Sequence, residues 1–510
     1  MRTSKTILTL LTGLMTCALP ISADAFCGFY VGGDDTALYN NATMVVMMRE
    51  GTRTVLSMQN NYQGPPADFA MVVPVPVILQ KENVKTLGND VFDAVDRLAA
   101  PRLVEYWERD PCAPPMPEPD IMLDSVAVMA GADEGGAMPE DLGVKVEAKF
   151  TVGEYEIVIL SAKYSNGLDI WLREQRYNIP KGAEPLLRPY VASGMKFFVA
   201  KVNADKVTFQ GGQAMLSPLR FHYDSQQFNL PIRLGLMNSS GTQDLLVHIL
   251  SPNQRYEAAN YNNVTIPTNL EVGDNTRQDF GAFYATLFDA TMEKYPKSVI
   301  TEYAWQATSC DPCPPGSPLE PGQIQTLGGD VLPSGVGQNY VLTRLHARYN
   351  KDALGEDLVF RAAEPIVGGR EHVVAKGQIE RGAQKSHINN FQARYIIRHR
   401  WTGPIACENP VRGIWGGPPQ GPARAVQPAE DIALVARSES VQLASFLRED
   451  VGEIDFKASA PDHSKFQPSG IQPTPSSSGG CAGCQTGGSQ GTPAVLLGFL
   501  GLLLWRRRGR

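Results

Sequence analysis

The chain has 510 residues, room for roughly two or three domains with cores of their own. Its 46 Lys and Arg against 53 Asp and Glu give a net charge of −7, and no basic face shows in the sequence, which argues against a nucleic-acid partner. Glycine (48) and proline (38) are raised, which favours turns and loops over long helices.

The N-terminus reads as an export address. Arg2 and Lys5 precede an apolar stretch over residues 7–19, and Ala23-Asp24-Ala25 is an A-x-A site that predicts a mature start at Phe26. Cys17 follows Thr16 and Cys27 follows Phe26, both poor residues ahead of a lipid-accepting cysteine, so residues 1–25 are read as an ordinary signal peptide. Export gives the cysteines of the folded part, Cys27, Cys112, Cys310, Cys313 and Cys407, a tendency to pair, with one left over. Spacing does not fix connectivity. The expected pairing is Cys27 with Cys112, closing a loop worth about 4 kcal/mol, and one of Cys310 and Cys313 with Cys407.

Residues 44–48 and 54–58 read as strands around a turn at Glu50-Gly51, followed by a loop over residues 60–66. The apolar stretch 69–79 contains Pro74 and Pro76, which blank out donors along one edge and predict a sheet margin or a break. Residues 84–99 carry Val84, Leu87, Val91, Phe92, Val95 and Leu98 on one helical stripe, with a second helical piece predicted to Trp107. Residues 111–141 read as an exposed excursion, in which Asp133, Glu134, Glu140 and Asp141 lack the ligand spacing of a calcium loop. Two strands over 144–162, helices over 167–176 and 184–192, and a strand over 196–202 complete a first domain, residues 26–205.

A second domain, 206–305, is predicted from strands at 219–223, 232–237 and 244–250, with a turn cluster at Asn238-Ser239-Ser240-Gly241. A helix over 279–295 follows, with Phe280, Phe283, Leu287, Phe288, Thr291 and Met292 on its buried stripe and Thr276 or Asp279 as its cap. A β-rich third domain, 306–457, takes strands at 340–349, 358–362 and 392–401, and a helix over 432–447. Residues 458–493 are a linker with a Cys motif: 12 of the 20 residues 461–480 are Pro, Ser or Gly. The fold class is α+β, mostly antiparallel sheets with a few packed helices, ending in a hydrophobic tail.

That tail holds Cys481 and Cys484, then a 12-residue apolar run over 494–505, then Arg506, Arg507, Arg508 and Arg510. As a helix the run spans about 18 Å, short of a hydrocarbon core of roughly 30 Å. The order of cysteine motif, apolar segment and basic stop resembles the myxobacterial-type C-terminal sorting tail (MYXO-CTERM). That resemblance implies cleavage near the cysteines, with Cys481 or Cys484 lipid-modified, and hence membrane attachment, with a signal peptidase and a sorting protease as processing partners. The competing reading is a plain anchor kept whole.

Phe26-Cys27-Gly28-Phe29-Tyr30-Val31, the run TRTVLSMQNNYQGPPADFAMVVPVPV at 52–77, and Ala100-Pro101-Arg102-Leu103-Val104-Glu105-Tyr106 resemble the domain-of-unknown-function family 2330. The likeness covers most of residues 26–415. It implies an exported bacterial protein and supplies no catalytic residues.

Motifs for chemistry are sparse. Ser193-Gly194-Met195-Lys196 fits S-x-x-K, but its companions are out of order, and a helix-to-strand turn explains it. Cys310-Asp311-Pro312-Cys313 is followed by Pro314-Pro315-Gly316, which forbids the helix of a thioredoxin-type site, and the histidines lack metal spacing. No HExxH, G-x-S-x-G or P-loop occurs. No catalytic residue, cofactor or metal is therefore assigned. The sequence reads as an exported, surface-anchored protein with a structural or binding role toward an unidentified envelope or extracellular partner. The alternative is a secreted hydrolase whose active site is assembled from distant positions.

Overall fold

The computed structural model describes residues 29–31, 42–59, 70–113, 143–175, 177, 179, 182–210, 213–238, 243–350, 355–371, 379–418, 426–428, 442–448 and 458–459. All of them belong to one compact unit, residues 1–470, and a second unit, 471–510, lies outside them. In chain order the elements that position the core are strands β1 (Ala42–Glu50), β2 (Arg53–Met58) and β3 (Ala70–Val75), helix α1 (Asp90–Ala99), and strand β4 (Arg102–Glu108). Strands β5 (Val144–Val152) and β6 (Tyr155–Ala162), helices α2 (Ser165–Glu174) and α3 (Glu184–Ala192), and strand β7 (Lys196–Val202) come next. Then come β8 (Leu219–Asp224), β9 (Gln243–Pro252), helix α4 (Phe280–Lys294), β10 (Ser298–Gln306), β11 (Tyr340–Tyr349) and β12 (Arg394–His399).

The fold is α+β. A twelve-stranded sheet runs through β10, β11, β9, β1, β2 and β8 in that spatial order, so residues from the segments 26–205, 206–305 and 306–457 share one sheet. Its ladders are antiparallel along this path except for β9 with β1, which pair in parallel. Met44-Val45-Val46-Met47-Met48 is apolar without alternation because β1 is covered on both faces. Val45 and Met47 join Val247, Ile249, Leu345 and Phe221 against Met71, Val73, Ile157, Ile159 and Phe198 of a second, five-stranded sheet. Val46 and Met48, on the other face, meet Phe92, Val95 and Leu98 of α1. Helices α2 and α3 close the outer face of the five-stranded sheet through Leu168, Leu172, Leu187 and Tyr190.

Helix α4 is packed between the large sheet and a third one. Phe280, Phe283 and Phe288 are all buried, touching Leu246 and Ile300 on one side and Leu103, Tyr395 and Ile397 on the other. At about 1.5–3 kcal/mol for each ring, this helix is a principal core element. Asp279 stands at its N-cap position without a side-chain cap bond. The third sheet pairs β4 with β12 in parallel, with Leu270–Glu271 beyond β12 and Trp415–Gly416 and Val426–Pro428 against β4.

Several expectations need correction. Residues 84–86 form a strand against Leu219-Arg220-Phe221 and only 90–99 are helical, because Gly88 and Asn89 break the stripe ahead of the first helical turn. The helical piece predicted to Trp107 is strand β4, in keeping with its β-branched and aromatic run. Residues 233–238 are a 3-10 helix, not a strand. The prolines do sit where a margin or break is expected: Phe29–Val31 covers only residues 70–72, so at Pro74 strand β3 is paired on one side alone, and it ends at Val75, ahead of Pro76. The excursion at 114–141 and most of the helix predicted at 432–447 lie outside the described residues.

The disulfide pairing differs as well. Cys112 bonds Cys407, and Cys310 bonds Cys313, whereas Cys27 lies outside the described residues. The cause is topological. Strands β4 and β12 are parallel neighbours, so the chain leaves both at the same end, and Arg109 N–H to Ile414 O (2.8 Å) and Val411 N–H to Pro111 O (2.9 Å) hold the two exits together. Cysteines 295 residues apart in sequence thereby become neighbours. Replacing Cys407 by serine is expected to cost about 2–4 kcal/mol of stability by freeing that loop in the unfolded chain. Urea unfolding of oxidised wild type against the variant measures it, and coincident midpoints would refute it.

Candidate functional site

Residues in register on parallel strands share a face, so Val104 and Tyr106 of β4 stand beside Ile396 and Arg398 of β12. Val104, Tyr106 and Ile396 make a small apolar cluster with Ile379 and Trp415. Over this floor opens a cavity of about 500 Å³, within the roughly 300–1,000 Å³ usual for small-molecule sites. Arg398, Arg400 and Arg412 line it together with Glu108 and Glu371.

The charges around it are nearly all matched. Glu108 accepts hydrogen bonds from Gly413 N–H (2.8 Å) and Trp401 N–H (2.9 Å) and sits 3.1 Å from Arg412 Nη2. Burial pushes its carboxyl up, but the two N–H donors and the nearby arginines outweigh this and hold its pKa below the ordinary range. Glu371 lies 3.8 Å from Arg394, which also donates to the Tyr106 hydroxyl at 2.9 Å. Arg398 lies over the Trp415 ring at 5.1 Å and 3.6 Å from Glu271, which Arg448 also reaches at 3.1 Å. Arg400 is exposed and forms no ion pair among the described residues.

A second concentration of charge lies on the face of the large sheet that α1 and α4 cover. At a β-bulge in β10, Glu302 accepts from Arg344 Nε (2.6 Å) and the Tyr284 hydroxyl (2.6 Å) and contacts His346 Nδ1 (2.7 Å). Arg344 also contacts Asp96 of α1 and lies 3.4 Å from His248 Nε2. His346 stacks on Phe288 of α4 at 3.8 Å, with Asp244 at 3.4 Å, and Asp244 in turn takes Arg348 at 2.8 Å. Burial pushes the Glu302 carboxyl up, but His346 and Arg344 outweigh it and bring its pKa to about 2. Burial lowers His346, and Glu302 and Asp244 more than offset this, so it titrates above its usual value. His248, buried beside Arg344, drops to about 3. Glu302, Arg344 and His248 are 0% exposed, so no substrate meets them here. The network ties α1 and α4 to the sheet.

A third carboxylate–histidine contact lies nearer the surface: Glu105 is 2.7 Å from His399 Nε2 and accepts from Arg277 at 2.6 Å, with Trp107 stacked on the imidazole at 4.6 Å. Among the described residues no group of three or more His, Cys, Asp or Glu is placed to hold a metal ion, and no helix is long and apolar enough to cross a membrane. The residues singled out from the sequence are not brought to any of these places. Cys481, Cys484, Arg506, Arg507, Arg508 and Arg510 lie outside the described residues. Cys310 and Cys313 form a local loop, and Ser193-Gly194-Met195 is the turn between α3 and β7, with Gly194 at φ +74°. The cavity arginines Arg398, Arg400 and Arg412 carry no motif that marks them in the sequence, although Arg398 and Arg400 alternate along one strand-like run.

Residues 21–361 match the family described as an uncharacterized protein conserved in bacteria (DUF2330). The chain belongs to that family. No curated protein and no solved structure matches it. The DUF2330 match ends short of the residue 415 expected from the opening motifs. It takes in the whole buried network, from Asp96 to Arg348. It takes in only Tyr106 and Glu108 of the cavity, whose other lining residues begin at Glu371. The cavity is therefore built where the DUF2330 portion pairs with the chain beyond residue 361.

Proposed function

We propose that this DUF2330 protein is exported, held at the bacterial cell surface by its C-terminal tail, and binds a partner there without transforming it. The observation that carries the reading is the pair of disulfides, Cys112–Cys407 and Cys310–Cys313, since cystines persist in oxidising compartments. The A-x-A site before Phe26 and the sequence of cysteines, apolar run and arginines after residue 480 support the same location. Signal peptidase and a sorting protease are its processing partners, and Cys481 is the attachment point, with Cys484 as its neighbour. Binding is favoured over catalysis because the cavity over β4 and β12 is lined by arginine, glutamate and aromatic groups, with no histidine, serine or cysteine among them.

Intact-mass and lipid analysis of protein from its native membrane tests this. The expected result is a chain starting at Phe26 and ending at or near a lipid-bearing cysteine. Alanine at both Cys481 and Cys484 should release the folded part or leave it unprocessed. A full-length double variant that stays membrane-bound at the same place would overturn the sorting-tail reading. A secreted hydrolase is the second reading, favoured by the Glu105–His399 contact. It requires a hydrolytic activity that His399→Ala abolishes.

A further inference from the structure

We infer that the cavity between β4, β12 and the 409–415 loop is a binding site for a small organic anion, a carboxylate or phosphate ester carried on a body with a ring or apolar face. This deepens the binding reading above and rests on it. The sign of the ligand is set by the local charges. Arg398, Arg400 and Arg412 against Glu108 and Glu371 give the lining one more cation than anion, and among the described residues Arg400 at the rim forms no ion pair of its own, acting on Glu108 only at longer range. In a chain of net charge −7 this is a local positive excess. Guanidinium groups suit carboxylate and phosphate because their planar N–H donors engage both oxygens at once.

The site is also pre-shaped. Arg398 near the end of β12 and Arg400 just past it are two apart and so project to one side, and Arg412 faces them from the loop. Arg398 lies over the Trp415 ring, and Glu108 ties Trp401 and Gly413, one from each flanking segment, to the end of β4. Cys112–Cys407 fastens the same two exits a few residues on. Around Arg398 and Arg412 little side-chain freedom then remains to be lost when a ligand enters, and Arg400 is the group that has still to be ordered. Tyr106, Ile379 and Trp415 give the floor its apolar and aromatic character, which fits the body of the ligand and not a bare ion.

Titration of the purified full chain, monitored by calorimetry and tryptophan fluorescence, tests the inference with three probes: glucuronate, glucose 6-phosphate and neutral glucose. The expected result is saturable binding of at least one of the two anions, weakened by salt, with no binding of glucose. Which anion binds tells carboxylate from phosphate ester. Arg400→Gln should weaken that binding by about tenfold or more, while Arg188→Gln, on exposed α3 surface, leaves it unchanged. Among the described residues Arg400 is exposed and forms no ion pair, so its variant is expected to stay folded, which the urea midpoint of the variant checks. Absence of saturable binding by both anions, equal binding of glucose, or an Arg400→Gln affinity equal to wild type would each overturn the inference. The assay needs no membrane, so its failure is separate from a failure of surface attachment.

Discussion

Replacing Glu302 by glutamine is expected to destabilise the protein by about 3–5 kcal/mol, the cost of leaving a buried charge without its partner. Arg344 has no exposed surface, and its two anionic contacts are Glu302 and Asp96. Taking away the first leaves a guanidinium with half its compensation in a place water does not reach. The amide can still accept from Tyr284, but it offers His346 a neutral group where an anion stood at 2.7 Å. Equilibrium urea unfolding of the two proteins measures the difference. A loss below about 1 kcal/mol would mean that Glu302 is dispensable to the network. The same contacts specify register. His248 lies opposite Arg344, and Asp244 opposite Arg348, so slipping β9 by one residue against β11 would turn Asp244 and His248 into the apolar layer beneath.

How far the sequence disclosed this fold depends on which signal a segment carries. Helix α3 and strand β7 are read to the residue, and α4 to within one, because turn residues or strong apolar stripes bound them. Apolar residues at helical spacing also occur in strands: residues 102–107 carry them because β4 is covered on both faces, and residues 84–86 because Val84 alone turns inward from an edge strand. Strand β10 went unread altogether, although Val299, Ile300, Thr301, Tyr303 and Trp305 are a β-branched and aromatic run. Its Glu302, an acid in mid-strand, is turned inward by the bulge and by its partners from β11 and α4.

The sites were less legible for a related reason. Tyr106 and Arg398 are 292 positions apart and meet only because β4 and β12 pair in parallel, a long-range choice that neither segment encodes alone. The same pairing sets Cys112 against Cys407, which is why counting cysteines gave the candidates and not the connection. Arg400 and Arg412 look like ordinary surface arginines until the pairing of β4 with β12 and the Arg412–Glu108 ion pair bring them around one volume.

Acid should unfold this protein from a pH at which most carboxylates are still ionised. His248 faces Arg344 from β11, Asp96 from α1 and Glu302 from β10, and its Nε2 accepts from the Arg344 guanidinium. Protonation would turn that acceptor into a donor aimed at a cation, so the native imidazole stays neutral down to a pKa of about 3, against about 6.5 in the unfolded chain. Between those values the unfolded chain holds a proton that the native one refuses. Stability therefore falls on acidification by about 1.4 kcal/mol per pH unit, on the order of 5 kcal/mol across the window. Glu302 adds the same sign below about 4.5, since its native pKa of about 2 means the unfolded carboxyl is protonated first. His222, lowered by burial and by Arg53 to about 4, contributes in the same direction with a smaller share because it is half-buried. His346 has the opposite sign: its raised pKa gives stabilisation that is complete below 6.5 and lost as pH rises through the native value. The expected profile is a maximum near neutral pH with a steeper acid limb. Urea midpoints from pH 8 to pH 4.5 for wild type and His248→Gln test the assignment. The wild type should lose about 2–3 kcal/mol between pH 6.5 and 4.5, and the variant should lose much less over the same interval. Equal acid slopes in the two proteins would remove His248 as the cause.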